Sequence, residues 1–69
     1  MGETLLLNTL KAARTEAGLT QADLADRVGV TRKTINTVEN GVFVPSTVLS
    51  LKLARALGTS VEALFHLPE

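Results

Sequence analysis

Residues 20–41 read TQADLADRVGVTRKTINTVENG, and this stretch decides the fold. Thr20 is followed three positions later by Asp23, the spacing of a capping box, which predicts that a helix begins at Gln21. Gly29 tolerates the positive φ of a tight exit and ends that helix after Val28. Thr31 can cap a second helix from Arg32 to about Asn40. The stretch therefore predicts two short helices joined by a tight turn.

Three more helices are predicted around this pair. Leu6, Leu10, Ala13 and Ala17 recur on one helical face, and Gly18 follows them as a C-terminal cap. No segment alternates with period two for long enough to predict a strand. The sequence therefore predicts an all-α fold of five helices in one domain spanning residues 1–69. The three further helices are one that ends at about Ala17, Thr47–Leu57 and Val61–His66.

Composition excludes several classes of protein. Sixty-nine residues suffice for one small core, which a disulfide, a metal or a partner subunit often reinforces. The chain lacks cysteine, and a single His66 cannot build a metal site alone, so we expect no metal and no cofactor. No run is long and apolar enough for a signal peptide or a membrane span, so a cytoplasmic location is expected. No arrangement of catalytic residues is recognisable, and we expect no enzyme activity.

The charges are balanced in number but not in position. Seven basic and seven acidic residues cancel, which by itself argues against a nucleic-acid partner. Between Asp26 and Glu39, however, there is no acidic residue, whereas Arg27, Arg32 and Lys33 all lie there. Three of the seven basic residues are therefore concentrated in a segment that has no acidic residue.

The helix predicted from Arg32 to about Asn40, the third in chain order, carries side chains suited to DNA bases. Ile35 and Val38 lie on one side of it, and Lys33 and Thr37 lie roughly 160° from Ile35 at about 100° per residue. Arginine and lysine donate to guanine, asparagine pairs with adenine, and a threonine methyl suits the thymine methyl. The predicted base-contacting residues are Arg32, Lys33, Asn36 and Thr37. The amides at the start of helix two, with the Gln21 side chain, are suited to a backbone phosphate.

Several segments together resemble the Cro/cI-type (Xre) helix-turn-helix regulators. The resemblance covers about residues 8–67 and implies a five-helix, lambda-repressor-like fold in which helices two and three form the helix-turn-helix. It also implies a homodimer that binds near-palindromic double-stranded DNA and regulates transcription, with repression as the expected direction. The segments that carry it are residues 19–25, 29–31, Ile35, 39–41, 45–46, 53–58 and 61–65.

Matching residues to this family assigns roles to individual positions. It puts Arg32, Lys33 and Thr37 at base-contacting positions, with Asn36 near them. The phosphate-contacting positions that it implies are Gln21, Thr31 and Asn40. It also implies that Arg14 and Glu39 form a partly buried salt bridge between helices one and three.

Two segments depart from the family pattern. The family commonly has lysine and polar residues where this chain has Val42, Phe43 and Val44, so we expect a dimer surface or an extra core contact there. Leu64, Phe65 and Leu67 could all lie in the core, or form part of the same dimer surface. The apolar Leu5-Leu6-Leu7 segment replaces the charged start of the family's first helix, and we expect a partner to cover it.

Other functions remain open at this point. A helical protein-interaction module could use the apolar loop and the C-terminal apolar residues while the DNA face stays idle. An antitoxin-type regulator would bind DNA and also a partner protein.

Overall fold

The computed structural model describes residues 6–68, and helices make up most of that range. The predicted second, third and fourth helices are confirmed, and the third ends one residue earlier than predicted, with Asn40 as its C-cap. None of the helices described is long enough to cross a membrane. In chain order the elements are β1 (Leu7–Asn8), α1 (Leu10–Glu16), α2 (Gln21–Val28), α3 (Arg32–Glu39), α4 (Thr47–Leu57), α5 (Val61–Leu64) and β2 (Phe65–His66).

The helix boundaries follow from local side-chain chemistry. The Thr20 hydroxyl accepts the Asp23 amide at 3.0 Å, and the Asp23 carboxylate accepts the Thr20 amide at 3.0 Å, so the capping box is confirmed. These hydrogen bonds stabilise the ionised carboxylate and lower the pKa of Asp23 below its usual value. Gly29 ends α2 with φ of 76°, in the left-handed region that glycine adopts without strain.

The end of the chain differs from its predicted helix. α5 stops at Leu64, and Phe65 and His66 pair antiparallel with β1, with Leu7 opposite His66 and Asn8 opposite Phe65. The all-α prediction is therefore wrong in this part: the fold is mostly helical with one short strand pair. The pairing supplies partners for backbone groups beyond the helix end, and the Thr9 amide also donates to the Leu64 carbonyl at 2.9 Å.

This change of conformation explains why Leu64 and Phe65 both lie in the core. Leu64 is 1% exposed on the helix, and Phe65 is 8% exposed because its extended backbone turns its ring inward too. The prediction that these two residues could belong to a dimer surface is therefore wrong, since neither is accessible to a partner. The other buried apolar residues are Leu10, Leu24, Ala25, Val28, Ile35, Val38, Leu49, Leu53 and Ala54.

One face of α4 stays outside this core. The helix packs against α2 and α5 through Leu49, Leu53 and Ala54, but Val48 is 62% and Leu51 is 57% exposed. The apolar residues of α4 therefore contribute both to the buried core and to an exposed apolar surface.

The N-terminal apolar segment is divided between core and surface. Leu6 packs against the core, whereas Leu7 is half-exposed on β1. Leu5 lies outside the described residues. Among the described residues of this segment, Leu7 is the accessible one, and a covering partner stays a prediction for it.

Candidate nucleic-acid interface

The α2–α3 unit holds one face of α3 against the core. The Gly29 and Val30 amides both donate to the Ala25 carbonyl, at 2.9 and 3.0 Å, which closes the turn between the helices. Ile35 and Val38 are buried, so the opposite side of α3 faces outward. The exposed side of this helix is thereby fixed by packing.

The outward side carries the four predicted base-contacting residues, which we call the recognition face: Arg32, Lys33, Asn36 and Thr37. The first three are exposed and Thr37 is half-buried. The Thr37 hydroxyl donates to the Thr34 carbonyl at 2.9 Å, and Asn40 Nδ2 donates to Asn36 Oδ1 at 3.3 Å. Within residues 6–68, neither Arg32 nor Lys33 forms a side-chain hydrogen bond or an ion pair, whereas Asn36 and Thr37 are oriented by neighbours on the same helix.

The C-terminal end of α3 is fixed by a buried ionic cluster. Arg14 Nε donates to Glu39 Oε2 at 2.6 Å, and Arg14 Nη2 lies 3.3 Å from Glu39 Oε1, a two-pronged arrangement. The side chains of Arg14 and Glu39 are 9% and 2% exposed. The hydrogen bond to Glu39 raises the pKa of Arg14 further above its already high value. Gln21 Nε2 adds a donor to Glu39 Oε1 at 3.0 Å, so one carboxylate joins α1, α2 and α3.

A second anchor at this end comes from β1. Asn8 Nδ2 donates to the Val38 carbonyl at 3.1 Å, and Asn8 Oδ1 accepts the Leu10 amide at 3.2 Å. The Val38 carbonyl lies in the last turn of α3 and also accepts the Gly41 amide at 3.1 Å, so Asn8 adds a side-chain donor to a carbonyl at the helix end. Asn8 therefore links the start of α1 to the end of the helix that bears the recognition face.

The electrostatics of the recognition face differ from those of the whole chain. Arg32 and Lys33 lie on its exposed side, and the acidic residue of α3, Glu39, is buried against Arg14. A buried ion pair contributes little net field at the surface, so the face is locally positive on a chain of zero net charge.

The loop after α3 lies against the same face. The Val42 and Phe43 amides both donate to the Thr37 carbonyl, at 2.9 and 3.2 Å, which folds the loop back onto the helix. The side chains enclose an open, mainly apolar groove, which we call the loop groove, formed by Lys33, Thr34, Thr37, Val42 and Phe43. The loop thus extends the recognition face with an apolar edge.

A family model described as helix-turn-helix matches residues 10–64, most of the chain. The chain belongs to this helix-turn-helix family. The Cro/cI-type resemblance predicted from the sequence is therefore confirmed, and with it the assignment to a family of DNA-binding transcriptional regulators.

Individual helix-turn-helix proteins are similar over nearly the whole chain. An uncharacterized HTH-type transcriptional regulator of Methanothermobacter thermautotrophicus is 49% identical over 61 residues, which cover 87% of this chain and 88% of that protein. The uncharacterized HTH-type transcriptional regulator YgzD of Bacillus subtilis is 40% identical over 62 residues, which cover 90% of this chain and 94% of YgzD. The restriction-modification controller protein C.AhdI of Aeromonas hydrophila superposes with a TM-score of 0.74 at 39% identity, over 78% and 82% of the two chains.

Within this helix-turn-helix, the predicted phosphate-contacting residues are placed unequally. Gln21 uses one amide N–H on Glu39 and is half-buried, so its first role is to support α3. The Thr31 hydroxyl accepts the Thr34 amide at 3.2 Å as the N-cap of α3, and Asn40 contacts Asn36. All three lie at helix ends around the recognition face, and their contact with phosphate stays a prediction.

Sequence reasoning missed Asn8, Thr34 and the exposed face of α4. Asparagine just before a helix is a known capping signal, and it could have indicated Asn8. Its contact with Val38, 30 residues away, has no local signal. Thr34 was not predicted because its place in the loop groove depends on how the following loop folds back.

Proposed function

We propose that this helix-turn-helix protein is a transcriptional repressor without catalytic activity. It acts in the cytoplasm as a homodimer on near-palindromic double-stranded DNA, with α3 in the major groove. The observation that carries the proposal is the recognition face. It is exposed, locally positive and held at both ends, by the Thr31 cap at its start and by Arg14 and Asn8 at its end.

The side chains on this face match the edges of base pairs. Arg32 and Lys33 can donate to guanine O6 and N7, and Asn36 can pair with adenine N6 and N7. A helix that is packed on one side and polar on the other fits the width of the major groove. Fixing the helix before binding lowers the entropy cost of ordering it, which favours sequence-specific contacts.

Dimerisation is supported by an exposed apolar patch, which we define as Val44, Val48 and Leu51. These side chains are 66%, 62% and 57% exposed, although large apolar groups on a small protein gain free energy by burial. Val48 and Leu51 are three positions apart on one side of α4, so a second copy could cover both. Two copies double the phosphate contacts, which offsets the zero net charge of each chain.

Repression would require only that the dimer occupies its near-palindromic DNA site, the operator. A dimer with recognition helices about 34 Å apart covers two successive turns on one side of the duplex. Bound at a promoter, it would exclude other proteins from the same grooves.

The experiment that tests the proposed function is a selection of random DNA duplexes by the purified protein, read at a low and a high salt concentration. An enriched inverted repeat, more strongly retained at low salt, is the expected result, because cations released from phosphates favour binding when salt is dilute. Enrichment of no sequence at either concentration would refute DNA recognition and favour a protein-interaction module.

Leu51→Lys is expected to shift the protein from dimer to monomer, because it places a charge in the apolar patch. Sedimentation equilibrium of the wild type and the variant at tens of micromolar measures the shift. Lys52→Ala, one position away, is the control and is expected to leave the dimer intact. A wild-type chain that is monomeric both free and on a selected duplex would contradict the homodimer.

A further inference from the structure

The loop groove is continuous with the recognition face. Lys33 and Thr37 belong to both, so whatever contacts these two residues also meets the groove beside them. Val42 and Phe43, which also line this open groove, are 77% and 46% exposed. A DNA duplex seated on α3 would therefore present base edges to an apolar surface as well as to Arg32 and Lys33.

The hydroxyls around the groove are already used within the protein. The Thr37 hydroxyl donates to the Thr34 carbonyl at 2.9 Å, and the Thr34 hydroxyl lies 3.1 Å from that of Thr31. A threonine whose hydroxyl bonds to the preceding helical turn holds a fixed rotamer. The groove is thus bounded mainly by threonine and valine carbon atoms, the Phe43 ring and the aliphatic stem of Lys33.

The groove is also formed before any ligand arrives. The hydrogen bonds from the Val42 and Phe43 amides to the Thr37 carbonyl hold the loop on α3, and Pro45 is buried just beyond it. Since these contacts restrain the backbone at both ends of the loop, less of it has to be ordered on binding, which lowers the entropy cost of an apolar contact by Phe43.

Base edges in the major groove are hydrogen-bond donors or acceptors, with one apolar exception, the C5-methyl group of thymine. We infer that the loop groove binds the C5-methyl group of a pyrimidine next to the bases contacted by Arg32 and Lys33. This inference rests on the proposed function and adds a specificity-determining residue to it, Phe43. The same methyl group occurs on thymine and on 5-methylcytosine, so the groove distinguishes the methylated base from the bare one.

A second protein copy fits this position less well. A subunit seated on Val42 and Phe43 would also cover Lys33 and Thr37, which DNA binding needs to be free. The apolar patch of Val44, Val48 and Leu51 is available for self-association without that conflict.

The test replaces each thymine of a selected duplex in turn by deoxyuridine, which removes only the methyl group, and each cytosine by 5-methylcytosine, which adds it. At one position in each half-site, we expect loss of the methyl to weaken binding about fourfold, the effect of one buried apolar carbon. Replacement in both half-sites together is expected to weaken it about fifteenfold. If that position holds cytosine, methylation strengthens binding by the same factor.

Phe43→Ala is expected to reduce this thymine-to-deoxyuridine ratio to near one. Leu7→Ala is the matched control, since Leu7 is 49% exposed and lies on β1, and its ratio is expected to equal that of the wild type. Circular dichroism of both variants checks that the helices are intact.

Each other outcome has a distinct meaning. A duplex that is bound but indifferent to every methyl change would overturn the groove and leave the proposed function standing. A Phe43→Ala variant that keeps the wild-type thymine-to-deoxyuridine ratio would also overturn the groove inference. If that variant is in addition monomeric in sedimentation, the groove would be assigned to contact with a second copy. Failure to select any duplex would refute the proposed function, and the groove inference with it.

Discussion

Glu39→Ala is expected to lower the free energy of unfolding by about 3–5 kcal/mol, the cost of leaving a buried charge without its partner. Arg14 is 9% exposed, and its guanidinium would keep one hydrogen bond in the variant, from Nη1 to the Leu19 carbonyl at 2.9 Å. Gln21 would lose its acceptor as well. For a small domain whose total stability is about 5–15 kcal/mol, this loss is a large fraction.

Urea denaturation followed by circular dichroism measures the change. Glu16→Ala, which removes an exposed acid from the last turn of α1, is the control and should alter stability by less than about 0.5 kcal/mol. The double variant Arg14→Leu/Glu39→Leu is expected to recover much of the loss, because an apolar pair replaces the ion pair without a stranded charge. A single variant within about 1 kcal/mol of the wild type would show that the cluster does not anchor α3.

The double variant Arg32→Ala/Lys33→Ala is expected to lower affinity for the selected duplex about a thousandfold. A homodimer loses two base contacts from each subunit, and at about 1 kcal/mol or more for each contact the sum reaches about 4 kcal/mol. Helical content should not change, because both residues are exposed on α3 and make no core contact.

Fluorescence anisotropy titrations at one fixed salt concentration measure this loss. Lys11→Ala/Arg27→Ala removes the same charge from exposed positions on α1 and α2, so it reports the general electrostatic effect alone. Equal losses in the two double variants would contradict base recognition by α3 and leave only non-specific attraction to phosphate.

Local chemistry made the centre of this fold predictable. Thr20, Asp23 and Gly29 each act through neighbours within a few residues, so the bounds of α2 could be derived without knowing what it packs against. The recognition face was predictable for a related reason, since Ile35 and Val38 define the buried side of α3 and leave the other side exposed.

Long-range contacts were not predictable in the same way. β1 and β2 are two residues each, too short for any alternation of apolar and polar positions to indicate a strand. Phe65 was therefore predicted to continue the helix that begins at Val61, although it pairs with Asn8 in an extended strand. Phe43 was predicted on a dimer surface or in contact with the core. The core contact is wrong, since Phe43 is 46% exposed, and its position beside Lys33 and Thr37 depends on loop packing that the local sequence does not indicate.

The strand pair also bears on the order in which the molecule folds. It joins segments from opposite ends of the described chain, and the Thr9 hydroxyl donates to the Ala63 carbonyl across 54 positions of sequence. Closing so long a loop costs more chain entropy than forming the short turn between α2 and α3, and contacts close in sequence form sooner. We therefore expect the helix pair that bears the recognition face to assemble early, and the pairing of β1 with β2 to form late. Because Asn8 lies in β1 and donates to the Val38 carbonyl, we expect the end of α3 to gain this hydrogen bond only when the strands pair.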